Sequence, residues 1–367
     1  MNRRHFLVGT ASGIAAFTGL AKGQAPAAPA AGQAPAAGRG GGGRGGGIPP
    51  EKLARISMMT LNHGALFKTP WATNATERQT MTWLEVPQYY LDTYGVRHVE
   101  FQHGHIAQDT TKPDVAFFRE LKAKFDAAGS KAVQINVEIG QMTTPSPTGP
   151  QALSGDQRAT WLATAKRWVD AAPVLGVERL MWNQTGLNDT NKAGVISLWK
   201  ELQDYAKPKG IKISNEMRGG GPVAGDGKPP NQAPATPGAP ARGGGGGGAA
   251  VAAAPGAPAK AANMPGPVLT GWKHAQLLQE AAEKSGGYTN IDFGGNTRFL
   301  NQDELHNAIK MMLKTNSGSM HIKSCENWDI GLAVKFSESQ GYRGLYTIEV
   351  NPHNAITVVI GSIVSML

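Results

Sequence analysis

Short apolar, β-branched runs alternate along most of this chain with longer stretches whose apolar residues recur every three or four positions. Eight runs of the first kind occur, at 56–61, 97–102, 132–137, 178–182, 211–214, 288–291, 319–322 and 344–348. Their length and composition predict strands. The intervening stretches predict helices. Phe117, Phe118, Leu121 and Phe125 make one stripe; Trp161, Ala165, Trp168 and Val169 make a second; Leu305, Ile309, Met312 and Leu313 make a third. Asn301 with Glu304 three positions later forms a capping box, and Gly129, Gly176, Gly210 and Gly341 stand where helices should close. Strict alternation of strand and helix predicts parallel pairing. Eight units predict an α/β chain of the (β/α)8 TIM-barrel class. A doubly wound open sheet is the alternative, but no Gly-x-Gly-x-x-Gly follows the first run.

Composition divides the rest. Residues 1–24 open with Arg3-Arg4-His5-Phe6-Leu7 before a Gly- and Ala-rich apolar stretch, the pattern of a twin-arginine signal segment. Gly9, Thr10, Ser12 and Gly13 interrupt that stretch, so it predicts no stable membrane span. Residues 25–49 are Ala/Pro and then Gly/Arg, too poor in large apolar side chains to offset chain entropy, and predict a disordered tether. Residues 50–367 then form the barrel, interrupted at 219–266 by a low-complexity disordered insertion after the fifth strand. The insertion is read as passive, with a lid over the barrel mouth as the alternative. Without it 270 residues remain, close to the roughly 250 of a (β/α)8 barrel. The expected location is periplasmic or exported.

Formal net charge is +9, which invites a nucleic-acid reading. Most of it lies in the signal, tether and insertion; the core retains +2 and offers no basic face for a phosphate backbone. Cys325 is the single cysteine, so no intrachain disulfide forms.

The candidate chemistry lies where strands end. In a parallel barrel, loops at the C-terminal ends of the strands build the pocket. Glu216, Asp292, His321 and Glu349 follow runs five to eight. Asp292 and His321 are 29 positions apart and His321 and Glu349 are 28; with the insertion removed, Glu216 and Asp292 are also 28 apart. Such even steps, one per β/α unit, would bring three carboxylates and an imidazole to one rim. That hard, oxygen-rich set suits Mn²⁺ or Mg²⁺, with Co²⁺ or Zn²⁺ as alternatives. A metal there would polarise a carbonyl and stabilise an enediolate, and Glu216 and Glu349 would remove and return the proton. The same rule nominates His63, Glu100, His103, Asn183 and Lys323 as substrate contacts, with Asn62, Gln102 and Glu138 beside them.

Four short motifs carry a resemblance. Ile213-Ser-Asn-Glu216, Ile291-Asp292-Phe-Gly-Gly-Asn296, Met320-His321-Ile-Lys323 and Tyr346-Thr-Ile-Glu349 resemble, in order and spacing, the late strands of the sugar phosphate isomerase/epimerase family with its xylose isomerase-like TIM barrel. The resemblance covers about residues 55–351. It implies that Glu216, Asp292, His321 and Glu349 bind a divalent metal, and that Glu216 and Glu349 are the acid/base pair of an isomerase or epimerase. The chain departs from the family after the sixth strand, where Gly294, Gly295 and Asn296 replace a frequent histidine, and at Ser324, where the family has aspartate. Both departures touch substrate contacts, and an exported relative meets unphosphorylated sugars, so a small carbohydrate or polyol without phosphate is expected.

Rival readings stay open. His103-Gly-His105 resembles the His-x-His of amidohydrolase barrels, but it follows the second run, not the first. An apurinic endonuclease needs more histidines and a basic face. A keto-sugar or glycoside lyase or hydratase uses the same enediolate chemistry, and an exported binding protein would have kept the barrel without turnover. Oligomeric state is not encoded in any of these features.

Overall fold

Eight parallel strands close into a barrel, each followed in the chain by a helix of the outer ring. In this computed structural model the strands are β1 (Ile56–Met59), β2 (His98–Gln102), β3 (Lys131–Asn136), β4 (Arg179–Gln184), β5 (Lys212–Met217), β6 (Tyr288–Asp292), β7 (Asn316–Ile322) and β8 (Leu345–Ile348). The helices are α1 (Val86–Tyr94), α2 (Val115–Ala128), α3 (Gly155–Leu175), α4 (Lys192–Ala206), α5 (Gly271–Ser285), α6 (Gln302–Met312), α7 (Ile330–Ser339) and α8 (His353–Met366). Sequence neighbours pair throughout, and β1 closes the ring by pairing with both β2 and β8. The structure describes residues 48–72, 76–184, 186–217, 271–293, 301–323, 329–349 and 353–367. The signal segment, all of the tether before Ile48, the insertion, the 294–296 departure, Ser324 and Cys325 lie outside the described residues. No helix among the described residues is long and apolar enough to cross a membrane.

All eight expected runs form barrel strands. Alternation along each strand separates two environments. On β2, Val99 and Phe101 face the helices, with the Phe101 ring 5.8 Å from that of Phe125 on α2, while Glu100 faces the lumen. On β7, Met320 and Ile322 are buried on the helix side, and Ser319 Oγ meets Thr347 Oγ1 of β8 at 2.9 Å inside. The layer between strands and helices is apolar and aromatic. Trp168 on α3 is fully buried beside Phe118, and Trp161 packs 6.0 Å from Trp182. The lumen, by contrast, holds Glu100, Gln134, Asn183, Glu216 and Asn290, all buried. Branched aliphatic side chains usually fill such a barrel; here polar groups do.

Local chemistry sets the element ends. Asn301 Oδ1 accepts from the Glu304 N–H at 2.9 Å, as the capping pattern predicts. Gly176 ends α3 at φ 80°, a left-handed conformation that a Cβ would strain. Gly287 lies against the Trp199 indole, where any side chain would collide with the ring. The strand bounds differ from the expected runs by up to three residues, and two of the differences bear on the site. The first strand stops at Met59, where Thr60 and Asn62 bond to the two neighbouring strands: Thr60 Oγ1 accepts from the Gln102 N–H at 3.0 Å, and Asn62 Nδ2 donates to the Ile348 carbonyl at 2.7 Å. The fifth strand runs on to Met217, so Glu216 sits within β5, in register with Asn290 of β6.

Candidate metal centre

Glu216 on β5, His321 on β7 and Glu349 just past β8 bring one ligand atom each to within 4.8 Å of one another. His321 Nδ1 is 2.5 Å from Glu216 Oε1 and 2.9 Å from Glu349 Oε2. Neither Nδ1 nor Glu349 Oε2 makes a hydrogen bond, although both are buried. The three ligand atoms thus crowd one region of the lumen. One backbone bond and one side-chain bond hold them there: the Glu349 N–H donates to the Ile322 carbonyl at 2.8 Å, and Asn290 Nδ2 donates to Glu216 Oε1 at 3.5 Å.

The opposite edge of the imidazole is fixed. His321 Nε2 lies 2.9 and 3.0 Å from the two oxygens of Glu100, which is fully buried. A carboxylate can only accept, so Nε2 carries a proton, and Nδ1 is the nitrogen left to face Glu216 and Glu349. A carboxylate behind a ligating histidine is the usual means of fixing tautomer and raising basicity. Burial opposes a charge on His321, but Glu100 and then Glu216 outweigh it and hold its pKa well above the ordinary value. Two carboxylate oxygens and one oriented nitrogen fit a divalent cation of the Mn²⁺, Mg²⁺, Co²⁺ or Zn²⁺ class.

Asp292, expected as a fourth ligand, stands in register with His321 on the neighbouring strand. It is fully buried at the end of β6, and Lys323 Nζ donates to its Oδ2 at 2.7 Å. The same ammonium lies 3.1 Å from Glu349 Oε2. Burial, partly countered by Lys323 and reinforced by Glu216 and Glu349, pushes the Asp292 carboxyl up to about 7. Burial also works against the Lys323 charge, yet Asp292, Glu216 and Glu349 prevail and keep it protonated. The gross attraction of such a pair is roughly 6 kcal/mol at an effective dielectric of about 20. Desolvation of each ion costs several kcal/mol, so the pair specifies geometry more than it adds stability.

The expected substrate contacts separate into groups. Glu100 bonds the back of His321, because its strand position points it across the lumen instead of toward the mouth. Lys323 joins the carboxylates rather than the open rim. His63 is buried among three tyrosines, with Tyr90 Oη 3.1 Å from Nδ1 and Tyr94 Oη 2.9 Å from Nε2. His103 and Asn183 share Glu138: the Glu138 N–H donates to His103 Nδ1 at 3.1 Å, and Asn183 Nδ2 donates to Glu138 Oε1 at 3.1 Å. Asn183 Oδ1 is buried without a partner. His105 turns away from His103 and stacks on Trp83 at 4.1 Å, so the His-x-His pair does not act as one chelate.

No family model matches the chain, and no curated protein matches it. Solved structures do resemble its barrel. A xylose isomerase-like TIM-barrel protein from Mycobacterium smegmatis in complex with magnesium has a TM-score of 0.52 at 13% identity, covering 86% of this chain and 97% of that one. The 3-keto-D-glucoside 4-epimerase YcjR from E. coli has a TM-score of 0.51 at 12% identity, covering 85% and 98%. The IolI protein with a bound zinc atom has a TM-score of 0.51 at 10% identity, covering 85% and 96%. The neighbours of this (β/α)8 barrel thus include sugar epimerases and isomerase-like proteins, some with a metal bound.

Proposed function

We propose that this chain is a divalent-metal-dependent isomerase or epimerase that moves a proton on a sugar carbon next to a carbonyl. The observation that carries the proposal is the convergence of Glu216 Oε1, His321 Nδ1 and Glu349 Oε2, with Glu100 holding the far nitrogen. Neighbours named as sugar epimerases, and others holding zinc or magnesium, support the class.

Glu216, His321 and Glu349 would hold the ion, which would supply a Lewis acid for the substrate carbonyl; Mn²⁺ or Mg²⁺ suits the oxygen-rich set best. Glu216 from β5 and Glu349 from the end of β8 approach the same His321 Nδ1, and would reach a substrate carbon from two directions. One carboxylate takes the proton from the C–H bond. The bonding pair moves between the two carbons and the carbonyl pair moves onto oxygen, giving an enediolate. Return of a proton to the opposite face of the same carbon inverts it, whereas return to the former carbonyl carbon isomerises the sugar. Across the lumen, neutral His103 offers Nε2–H and Asn183 offers Oδ1, a donor and an acceptor for hydroxyl groups. These uncharged partners favour a carbohydrate or polyol without phosphate.

Metal analysis of protein purified without chelator should find about one divalent ion per chain. Incubation with a panel of unphosphorylated sugars in D₂O should place deuterium next to a carbonyl, read by NMR. Absence of both ion and exchange would sink the proposal in favour of a binding protein, and loss of a glycosidic substituent would replace it with a lyase. We also place the protein outside the cytoplasm on its Arg3-Arg4 pattern. Retention of an Arg3→Lys/Arg4→Lys variant in the cytoplasm is the expected result, and unchanged export would refute it.

A further inference from the structure

We infer that the floor of the barrel, at the end of the strands opposite the metal centre, carries a second binding site, for a small dianionic oxyanion of the phosphate class, built around Arg179. The inference stands apart from the ion-binding reading above. Arg179 opens β4, and Asn183, four positions on, faces the lumen, so the period of the strand turns Arg179 to the same side. Its Nε is buried without a hydrogen-bond partner, and no carboxylate among the described residues pairs with its guanidinium. The acids that act on it are engaged elsewhere: Glu178 lies 3.1 Å from Lys131 Nζ, and Glu100 bonds His321. Burial works against the Arg179 charge, with Tyr342 and then Glu100 and Glu178 opposing the shift. A cation withdrawn from water without a counter-ion is costly, and a bound anion offsets that cost.

Arg179 adjoins an open hollow of about 260 Å³, whose walls include Asn316 and Gly318 of β7 and Tyr342, Arg343 and Gly344 before β8. Gly318 is one link between the guanidinium and the hollow. It stands at φ 98°, and a Cβ there would come 3.2 Å from Arg179 Nη1, so glycine leaves the guanidinium its place beside the hollow. Tyr342 is the other link, since it lies within electrostatic reach of Arg179 and has the Arg55 guanidinium 5.9 Å from its ring centre. Arg55 Nη2 and Arg343 Nη1 both pair with Glu338, at 2.7 and 3.1 Å. Around Tyr342, three guanidiniums thus meet one carboxylate. That excess of two positive charges matches a dianion, and a guanidinium presents paired N–H donors in the geometry that phosphate oxygens accept.

Thermal unfolding of the full chain in inorganic phosphate at about 10 mM, against chloride at the same ionic strength, tests this with wild type and Arg179→Met. Phosphate should raise the wild-type midpoint by about 2 °C or more over chloride, as a ligand held only by the folded state does. Arg179→Met should lose most of that rise. A wild-type midpoint indifferent to phosphate, or a folded Arg179→Met that keeps the full rise, would overturn the inference. Should Arg179→Met not fold, calorimetric titration with phosphate of Arg343→Gln, a change at an exposed position, takes its place. That variant should bind about threefold more weakly than wild type or worse, and unchanged affinity also overturns the inference. None of these measurements needs a metal ion, so this inference and the proposed function fail separately.

Discussion

His321 on β7 donates from Nε2 across the barrel lumen to both carboxylate oxygens of Glu100 on β2, at 2.9 and 3.0 Å. The two strands are not neighbours in the sheet, so the contact ties opposite walls of the barrel. It also decides which imidazole nitrogen is left to face Glu216 and Glu349. Glu100→Gln should therefore weaken Mn²⁺ binding by about 10- to 100-fold, the usual cost of losing a carboxylate behind a metal-bound histidine. Calorimetric titration measures it, with circular dichroism to show that the barrel persists. Unchanged affinity would mean that Glu100 does not orient His321.

Glu216→Gln and Glu349→Gln separate ligation from proton transfer, since glutamine keeps an oxygen but is no base. At saturating Mn²⁺ each should reduce turnover by about 10²- to 10⁴-fold. If the two act on opposite faces of one carbon, each variant should still exchange deuterium into one epimer while failing to interconvert them. Exchange into both epimers by either variant would exclude the two-base arrangement.

Three histidines away from the ion cluster, His103 and His274 buried and His105 partly so, predict acid sensitivity. Burial lowers His103 to about 4, with a backbone bond near Asn136 working against the shift; burial and then His103 lower His105 to about 3. His274 on α5 falls to about 4, again chiefly through burial. The unfolded chain protonates these rings near pH 6.5, the folded chain only near pH 3 to 4. Between these values the unfolded state binds more protons, so stability is present above about pH 6.5 and is lost as pH falls toward 4. Each ring contributes up to about 1.4 kcal/mol per pH unit. Urea unfolding of chelator-treated protein at pH 7.5, 6 and 5 should show the decline, and His274→Gln should reduce its slope. A flat profile would show that these rings are solvated.

Trp168→Ala tests the layer between barrel and helices. Its indole is fully buried, meets Phe118 at 6.1 Å and His103 at 5.8 Å, and donates from Nε1 to the Thr110 carbonyl at 2.9 Å. The cavity should cost about 3–5 kcal/mol, and the Thr110 carbonyl loses its donor as well. Chemical denaturation reads the loss; a cost below about 1 kcal/mol would mean that the site collapses around the smaller side chain.

Much of the site was legible because a parallel barrel obeys a local rule. The runs at 211–214, 288–291, 319–322 and 344–348 all became strands, and the residues that follow them share one rim. Glu216, His321 and Glu349 could be nominated from position alone, as period and strand length fix which rim a residue reaches. Asp292 was nominated on the same grounds, but its partner could not be. Whether a buried carboxylate meets an ion or an ammonium depends on where Lys323 turns its side chain, and strand period does not encode that.

The sequence by itself determined the eight β/α units, the near-neutral core and the ring of acidic and imidazole groups at the ends of the later strands. These follow from periodicity and composition, which act over a few residues at a time. Only the tertiary structure decided that Glu100 stands behind His321, from which 221 positions separate it, that His105 turns away from His103, and that polar side chains line the lumen together. Barrel closure, which brings distant strands within hydrogen-bonding reach, makes those contacts; no stretch of chain specifies them alone.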